Sequence, residues 1–492
     1  MVFWRVKPLD KILETAEKKS LKRQLGALQL TLLGIGAVIG TGIFVLTAVA
    51  GQKAGPGMML AFVIAAIVCG LAALAYAELA SMIPVSGSAY TYSYGVFGEL
   101  IAWIVGWALG LEYGIGAAVV CVGWSGYMNG LLAANGYGLP EALRTGLYAG
   151  GSFNLLAFLI GLAVTGLLVI GTSKSARVNA VLVAIKIVAL TVFIFLAVPA
   201  AKSSNFEPFL PTGWGSPLGG VGVLGAAATI FFAYVGFDAV STAAEETKNP
   251  NRNIPIGLIG SLTVCTIFYL LVGYGAVGSI GAQPMLAPNG APFNPGTPEM
   301  LAACAHSEAL VCSNEPLAHV LRVLGHTTIG NWIGIAAILA LPSVILMMMF
   351  GQTRIFFTMS RDGLLPEVLS KVHPRFHTPH VITFLTGLVV SISGGLFPVD
   401  KLADTSNSGT LLAFAMVALG VLILRKQQPN RARPFRAPLV WLVCPLAVAG
   451  CLLLFVNLSS TALSVFFAWG ILGLILYALY GYKRSQLARN SD

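Results

Sequence analysis

Long apolar runs, separated by short polar segments, make up most of this chain. A helix rises 1.5 Å per residue, so about 20 apolar residues are enough to cross the hydrocarbon core of a bilayer. Runs of this length predict an all-α polytopic membrane protein with twelve transmembrane helices, which we number as spans 1 to 12. The predicted spans are 28–50, 58–81, 98–126, 153–171, 178–199, 221–246, 255–279, 328–357, 380–397, 403–424, 438–457 and 460–481.

Spans 1 and 6 are interrupted by small residues near their centres. Span 1 contains Gly36-Ala-Val-Ile-Gly-Thr-Gly-Ile-Phe44, and span 6 contains Gly225-Ala-Ala-Ala-Thr-Ile-Phe-Phe-Ala-Tyr-Val-Gly-Phe-Asp238. Unpaired backbone groups are costly in hydrocarbon, so a helix breaks there only where it lines a cavity or binds a ligand. Two broken spans five helices apart predict an inverted repeat of spans 1–5 and spans 6–10 around a central transport site.

This repeat divides the chain into five predicted segments. Spans 11 and 12 lie outside the repeat, and the charged N-terminal stretch is amphipathic, as expected of a segment that rests on the inner leaflet. The predicted segments are the cytoplasmic N-terminal segment 1–27, the first repeat 28–199, the second repeat 221–424, spans 11 and 12 at 438–481, and the cytoplasmic C-terminal tail 482–492.

Composition and charge agree with a membrane protein. Hydrophobic residues make up 57% of the 492 residues and charged residues only 10%, whereas soluble domains are about 25% charged. The net charge of +10 reflects orientation rather than nucleic-acid binding, because most lysines and arginines fall on the inner side when both termini are cytoplasmic. Residues 1–25 are too charged to contain the apolar core of a cleavable signal peptide. We therefore expect a multi-pass protein of the plasma (cell inner) membrane.

The two broken spans offer the chemistry of an amino acid site. A broken helix exposes N–H groups with partial positive charge and C=O groups with partial negative charge, which together complement a zwitterion. Glycine lets the backbone approach a ligand closely, so we expect N–H groups to bind the carboxylate and carbonyl groups to bind the ammonium. The candidate residues are Val38, Ile39, Gly40, Thr41, Gly42 and Ile43 in span 1, and Phe231, Ala233, Tyr234 and Gly236 in span 6.

Two alternatives apply to these residues. Gly36 and Gly40 have the spacing of a GxxxG packing motif, although the matching break in span 6 argues for a binding role. Phe231 is a candidate lid that occludes the substrate, but aromatic residues in spans also simply pack.

Ionisable residues inside spans are functional candidates and often belong to proton relays. Lys186 lies about eight residues into span 5, roughly 12 Å deep, which is too far for easy snorkelling. We predict that it accepts and releases the coupled proton; the alternative is a permanently charged lysine paired with a carboxylate. Glu112 in span 3 is a second buried charge that pairs with Lys186, recognises a cationic substrate side chain, or has a structural role.

Three acidic residues mark the inner half of span 6. Asp238, Glu245 and Glu246 lie near Lys248 and Arg252, so a cytoplasmic gate network and an ordinary membrane-edge charge cluster are both plausible. Glu78, at the inner end of span 2, is expected to be a solvated boundary residue.

Cysteine and histidine usage gives little sign of other chemistry. Cys304 and Cys312 share the long outer loop, where an oxidising compartment permits a disulfide; two free thiols are the alternative. No cysteine and histidine cluster suggests a metal site, and no cofactor is expected. The six histidines lie in loops or at span ends and form no catalytic set, so we do not expect an enzyme.

Several motifs together resemble a known superfamily. They are Gly-Ala-Val-Ile-Gly-Thr-Gly-Ile-Phe (36–44), Ala-Gly-Pro (54–56), Tyr-Ala-Glu-Leu-Ala (76–80), Phe-Phe-Ala-Tyr-Val-Gly-Phe-Asp (231–238) and Glu-Glu-Thr-Lys-Asn-Pro (245–250). This set resembles the amino acid-polyamine-organocation superfamily. Glu112, Gly-Trp-Ser (123–125) and Lys186 resemble its cationic amino acid transporter branch more closely.

The resemblance implies the leucine-transporter fold, alternating access, and coupling to protons rather than sodium. It places the lysine of span 5 near the position where sodium-coupled relatives hold an ion. Bacterial members of this branch have twelve spans and also carry small neutral amino acids. Span 8 contains no aspartate or glutamate, and Ser343 and Met347 can line the side-chain pocket. Strong selectivity for lysine or arginine is therefore not expected.

The leading functional hypothesis is a secondary active transporter that imports cationic or small neutral amino acids by proton symport. The alternatives are a proton-independent amino acid exchanger and an amino acid sensor that does not transport. Expected partners are the amino acid, the proton and the lipid bilayer, but not nucleic acid. The sequence leaves the preferred side chain and the oligomeric state open.

Overall fold

A computed structural model describes residues 6–9, 25–85, 87–171, 176–215, 217–305 and 307–489. Helices dominate this part of the chain, and its β pairing is limited to two isolated bridges, Leu25 with Thr247 and Leu286 with Pro292. Among the described residues, eight helical segments are long and apolar enough to cross a membrane, and four further apolar helices have 10–17 residues. The chain is an all-α protein with the helices of a polytopic membrane protein, as predicted.

Each predicted span contains a helix, and we label these helices α1 to α12. Their bounds are α1 Ala27–Val38, Thr41–Phe44 and Leu46–Ala54; α2 Met58–Met82; α3 Glu99–Ala134; α4 Leu155–Ile170; α5 Ala176–Ala197; α6 Gly222–Ile230 and Ala239–Thr242; α7 Pro250–Ile280; α8 Thr327–Arg361; α9 His380–Leu396; α10 Val399–Gln427; α11 Val440–Val456; and α12 Ser460–Leu476. Most of the predicted amphipathic segment 1–27 lies outside the described residues.

Both α1 and α6 are interrupted where their sequences contain glycine. The N-terminal half of α1, the inner half in the predicted orientation, ends at Val38; Ile39 is extended, and the helix resumes at Thr41. The N-terminal half of α6, the outer half in the predicted orientation, ends at Ile230 and continues as a 3-10 turn to Tyr234. Gly236 then has a φ of +113°, a conformation that glycine adopts much more readily than other residues.

The broken helices lie inside the protein, surrounded by the other spans. In the most apolar window of α6, 94% of the residues are buried, compared with 22% in that of α12. α3 packs along α8 and α10, while α7 packs against α1 and α2. The breaks therefore lie where neighbouring helices can supply hydrogen-bond partners.

Glu78 of α2 is buried, so the expectation of a solvated boundary residue was wrong. Its carboxylate accepts hydrogen bonds from Arg425 Nε at 2.8 Å and Nη2 at 2.7 Å, and from the Ala437 backbone N–H at 2.8 Å. Arg433 Nε lies 3.3 Å from the same carboxylate. Glu78 therefore connects α2 to α10 and to the segment that leads into α11.

Replacing Glu78 with glutamine is expected to lower the free energy of unfolding by about 1–3 kcal/mol, because two arginines lose a charged acceptor. Arg425 is 20% exposed, so water compensates part of the loss. Thermal melting of the purified protein in detergent measures the effect, with exposed Glu308→Gln as the control. Equal melting temperatures for Glu78→Gln and the wild type would contradict this assignment.

Candidate functional site

The breaks of α1 and α6 cross each other at backbone contact. A β-carbon added at Gly42 would overlap the backbone of Ala233, and one added at Gly236 would lie 3.0 Å from the carbonyl carbon and oxygen of Ala37. A glycine of each break thus faces the backbone of the other. Any larger residue at either glycine would force the two segments apart.

The helical hydrogen bonding of α1 stops and restarts at its break. Ile39 N–H donates to Ile35 O at 2.9 Å as the inner half ends. Beyond the break, Phe44 N–H donates to Gly40 O at 3.3 Å and Val45 N–H to Thr41 O at 2.8 Å. The N–H groups of residues 41–43 therefore precede the bonding ladder of the outer half, as the first N–H groups of any helix do.

Tyr269 of α7 links the two breaks. Its hydroxyl oxygen lies 2.9 Å from Val38 O in α1 and 2.9 Å from Ala233 O in α6. Sequence reasoning missed this residue, because a tyrosine in an apolar run carries no motif. A second tyrosine, Tyr127 of α3, donates to Phe44 O at 2.7 Å.

Lys186 of α5 is buried, with 1% of its surface exposed. Its Nζ donates to Gly36 O at 2.7 Å, two residues before the end of the inner half of α1. Among the described residues, no carboxylate lies within ion-pair distance of Lys186. The pairing of Lys186 with Glu112, one of the predicted alternatives, is therefore not present.

Glu112 of α3 is fully buried, and neither of its carboxylate oxygens has a hydrogen-bond partner within the described part of the chain. The Thr410 hydroxyl lies nearby, but its own hydrogen bond goes to Ser406 O at 3.3 Å. The Ser406 hydroxyl in turn donates to the backbone oxygen of Glu112 at 2.8 Å. The carboxyl group of Glu112 is thus buried between α3 and α10, beside the Thr410 hydroxyl.

Asp238 follows the α6 break in sequence and accepts hydrogen bonds beside it. Its carboxylate accepts from the Tyr113 hydroxyl at 2.7 Å and from Gly236 N–H at 3.2 Å. Asp238 is fully buried, whereas Glu246 is exposed and the side chain of Glu245 lies outside the described residues. Asp238 therefore belongs to the break rather than to a charge cluster with Glu246.

Apolar side chains of α8 lie close to glycines of α1 and α3. A β-carbon placed on Gly40 would lie 3.4 Å from the Val344 side chain, and one placed on Gly116 would lie 2.9 Å from Met348 Sδ. The predicted lining residues, Ser343 and Met347, are each one position earlier in α8; both are half-buried. The Ser343 hydroxyl donates to Ala340 O of its own helix at 2.7 Å.

Phe231, the candidate lid, is fully buried in the α6 break. Its ring packs edge-on against Phe414 of α10, with ring centroids 5.7 Å apart. Phe414 also contacts Tyr76 at 5.2 Å and Phe237 at 5.1 Å. The Phe231 ring is thus part of an aromatic cluster that joins α2, α6 and α10.

An ion pair that the sequence did not suggest joins the C-terminal end of α1 and the first turns of α10 to the residue before the α6 break. Lys53 Nζ of α1 lies 3.1 Å from Asp404 Oδ2 of α10 and donates to the Thr229 hydroxyl of α6 at 2.6 Å. The Thr229 hydroxyl is also within hydrogen-bond distance of Asp404 Oδ1, at 2.5 Å. Lys53 and Asp404 are 3% and 1% exposed, so this outer cluster is shielded from water.

The outer loop is attached to α1 beside this cluster. A disulfide joins Cys304 and Cys312, whose Cα atoms lie 5.3 Å apart. The amide of Gln52 donates to Met285 O at 3.0 Å and to Phe293 O at 2.9 Å, and it accepts from Met285 N–H at 2.8 Å. These three hydrogen bonds connect the loop to the outer half of α1.

Lys53→Met is expected to destabilise the protein by about 3 kcal/mol, because it leaves the Asp404 carboxylate buried and unpaired. The double variant Lys53→Met with Asp404→Asn should recover much of this loss, since it removes both charges. Thermal melting in detergent compares the two. A double variant no more stable than Lys53→Met would contradict the pairing.

Comparison with known proteins identifies the family. Residues 25–477 match the family model described as amino acid permease. The chain is 45% identical to the branched-chain amino acid permease BcaP of Bacillus subtilis, over 99% of both proteins. It is 40% identical to the methylthioribose transporter of the same organism, over 98% of this chain and 99% of that one.

A plant relative extends the same similarity. The vacuolar cationic amino acid transporter 2 of Arabidopsis thaliana is 36% identical over 87% of this chain and 63% of its own length. The family match and these relatives agree with the motifs around the two breaks, and they describe transporters rather than enzymes. The chain belongs to the amino acid permease family of the amino acid-polyamine-organocation superfamily.

Proposed function

We propose that this protein imports amino acids across the cell membrane by proton symport with alternating access. The observation that carries the proposal is the crossing of two broken helices, with the Lys186 amine bound to the backbone of one of them. The breaks supply backbone groups for a zwitterion, and the amine supplies a group that can exchange a proton. Relatives named for amino acid transport support the same substrate class.

Backbone groups of both breaks bind the common part of the substrate in this proposal. The N–H groups of Thr41, Gly42 and Ile43 bind the carboxylate, because they begin a half-helix and have partial positive charge. The Thr41 hydroxyl is buried and has no partner within the described residues, so it is available to the same carboxylate. The ammonium binds carbonyl groups from the two breaks, namely those of Val38, Ile39, Phe231, Ala233 and Tyr234.

The surroundings of the breaks favour a substrate with an apolar side chain. Val344 and Met348 of α8 approach glycines of α1 and α3, and Phe232 of α6 lies 3.4 Å from where a β-carbon of Gly116 would be. Glu112 lies one helical turn from Gly116, where its unpaired carboxyl group can receive a cationic side chain. We therefore propose branched-chain and small neutral amino acids as the main substrates, with cationic ones as the second candidate.

Proton coupling acts through the contact between Lys186 and α1. A charged donor makes a hydrogen bond roughly twice as strong as a neutral one, so proton gain and loss at Lys186 changes how firmly α5 holds Gly36. The inner half of α1 is then freer to move when the amine is neutral. Phe231 closes over the bound substrate, and the packing of α1, α5 and α8 shifts between the inward and outward states.

This mechanism requires the inverted-repeat architecture that the sequence predicts. We propose twelve membrane spans in the leucine-transporter fold, with residues 28–199 and 221–424 as the inverted repeats and 438–481 as the added pair. Both termini are cytoplasmic, and the protein resides in the plasma (cell inner) membrane. The equivalent breaks in α1 and α6, the first helix of each repeat, support this arrangement.

The first test is uptake into proteoliposomes with sodium absent. Radiolabelled leucine, alanine and arginine are each supplied with and without an inward proton gradient, and methylthioribose is added as a competitor because one relative is named for it. We expect gradient-driven accumulation of leucine and alanine above arginine. Uptake only against preloaded amino acid would identify an exchanger, and binding without flux would identify a sensor.

Lys186→Met is expected to abolish accumulation driven by the proton gradient while exchange against preloaded amino acid continues, because methionine keeps the side-chain volume and removes the amine. Accumulation and exchange are measured on the same proteoliposomes. Lys371→Met, an exposed lysine in an inner loop, serves as the control and should behave as the wild type. Wild-type accumulation by Lys186→Met would rule out the coupling role.

A further inference from the structure

Tyr269 stands out among the fully buried side chains because its hydroxyl contacts both breaks. The tyrosine has 0% exposure, and its ring packs against Phe62 of α2 and Tyr234 of α6, with centroid distances of 6.1 and 5.3 Å. These contacts fix the ring between α2 and α6. These ring contacts help to hold the hydroxyl beside both breaks.

The hydroxyl has one proton and faces two acceptors at the same distance. Val38 O and Ala233 O each lie 2.9 Å from it, but a tyrosine hydroxyl donates only one hydrogen bond at a time. Within the described residues, no other donor reaches either carbonyl oxygen. One of the two carbonyl groups is thus always left without a protein donor.

Both carbonyl groups belong to the set that we propose for the substrate ammonium. We infer that Tyr269 is a positioning residue, whose hydroxyl satisfies one break carbonyl and leaves the other for the ammonium, so that both breaks close together around the substrate. The inference rests on the proposed function, since it assigns the ammonium to these carbonyls. It adds a side chain of α7 to a site otherwise built from the backbones of α1 and α6.

The hydroxyl matters most when the site is closed. In an open state, water enters and pairs with exposed carbonyl groups, so loss of the hydroxyl has little effect. In the closed state water is absent, and the ammonium and the hydroxyl are the two donors for the two carbonyls. Removing the hydroxyl leaves one buried carbonyl unpaired, a loss that affects the closed state selectively.

The test compares Tyr269→Phe with two tyrosine controls in proteoliposomes. Tyr127→Phe also removes a buried hydroxyl that donates to a carbonyl group of α1, that of Phe44. Unlike the Tyr269 hydroxyl, the Tyr127 hydroxyl contacts only one of the two broken helices. Tyr274→Phe removes a hydroxyl from α7 at a side chain that is 43% exposed. All three variants keep the aromatic ring.

Tyr269→Phe is expected to lower the turnover number about tenfold, the scale of one unpaired buried carbonyl group. Its dissociation constant for leucine in detergent should change by less than about threefold, since binding to the open state persists. Its pH profile should match the wild type, because Lys186 is intact. Tyr127→Phe should lower the melting temperature by about as much as Tyr269→Phe, yet its turnover number should stay within about threefold of the wild type. Tyr274→Phe should have the turnover number and melting temperature of the wild type.

Equal turnover in Tyr269→Phe and Tyr127→Phe would overturn the inference, as would wild-type turnover in Tyr269→Phe. These outcomes differ from failure of the proposed function. A wild-type protein without proton dependence would refute symport, but exchange against preloaded leucine would still compare the three variants. A wild-type protein without any amino acid flux would refute both the proposed transport and the role of Tyr269.

Discussion

Backbone polar groups inside a bilayer have no water to pair with, and this constraint shapes the centre of the molecule. Two surrounding helices each give a side-chain donor to carbonyl groups at or next to the breaks: Lys186 from α5 to Gly36, and Tyr269 from α7 to Val38 or Ala233. A few directed bonds thus hold the broken segments. Such bonds can change partner without unfolding a helix.

Buried charges differ in how many partners they have. Lys53 and Asp404 form an ion pair that the Thr229 hydroxyl bridges, and Glu78 has several partners near the C-terminal end of α2. Glu112, in the middle of α3, has no partner among the described residues. Paired charges hold helices together, whereas a buried charge without a partner is costly, which is why we include Glu112 in the proposed site.

Features that depend on composition could be predicted from the sequence. Apolar runs indicated the helix positions, and the glycines at 36, 40 and 42 indicated a break, because glycine is an unusual choice in the centre of a span. Lys186 was conspicuous since lysine is rare at that depth. The family followed from motifs around the same residues.

Features that depend on three-dimensional proximity could not be predicted. Tyr269 looks like any aromatic residue in an apolar helix until two carbonyl oxygens are found beside it. The ion pair of Lys53 and Asp404 could not be predicted, because the two residues are 351 positions apart in the sequence. Val344 of α8 was not singled out either, since a helix apolar on every side does not reveal which side faces the breaks; the lining roles of Ser343 and Met347 stay predictions.

The crossing of the two breaks also bears on how this family diversifies. At Gly42 and Gly236 the two segments meet backbone to backbone, so few side-chain atoms define that centre and few substitutions there are tolerable. The surfaces of α3 and α8 next to this crossing are formed by side chains, which substitutions can replace. Side chains of α3 and α8 can therefore change between relatives while the backbone crossing at Gly42 and Gly236 is kept. This is consistent with relatives that are named for different solutes.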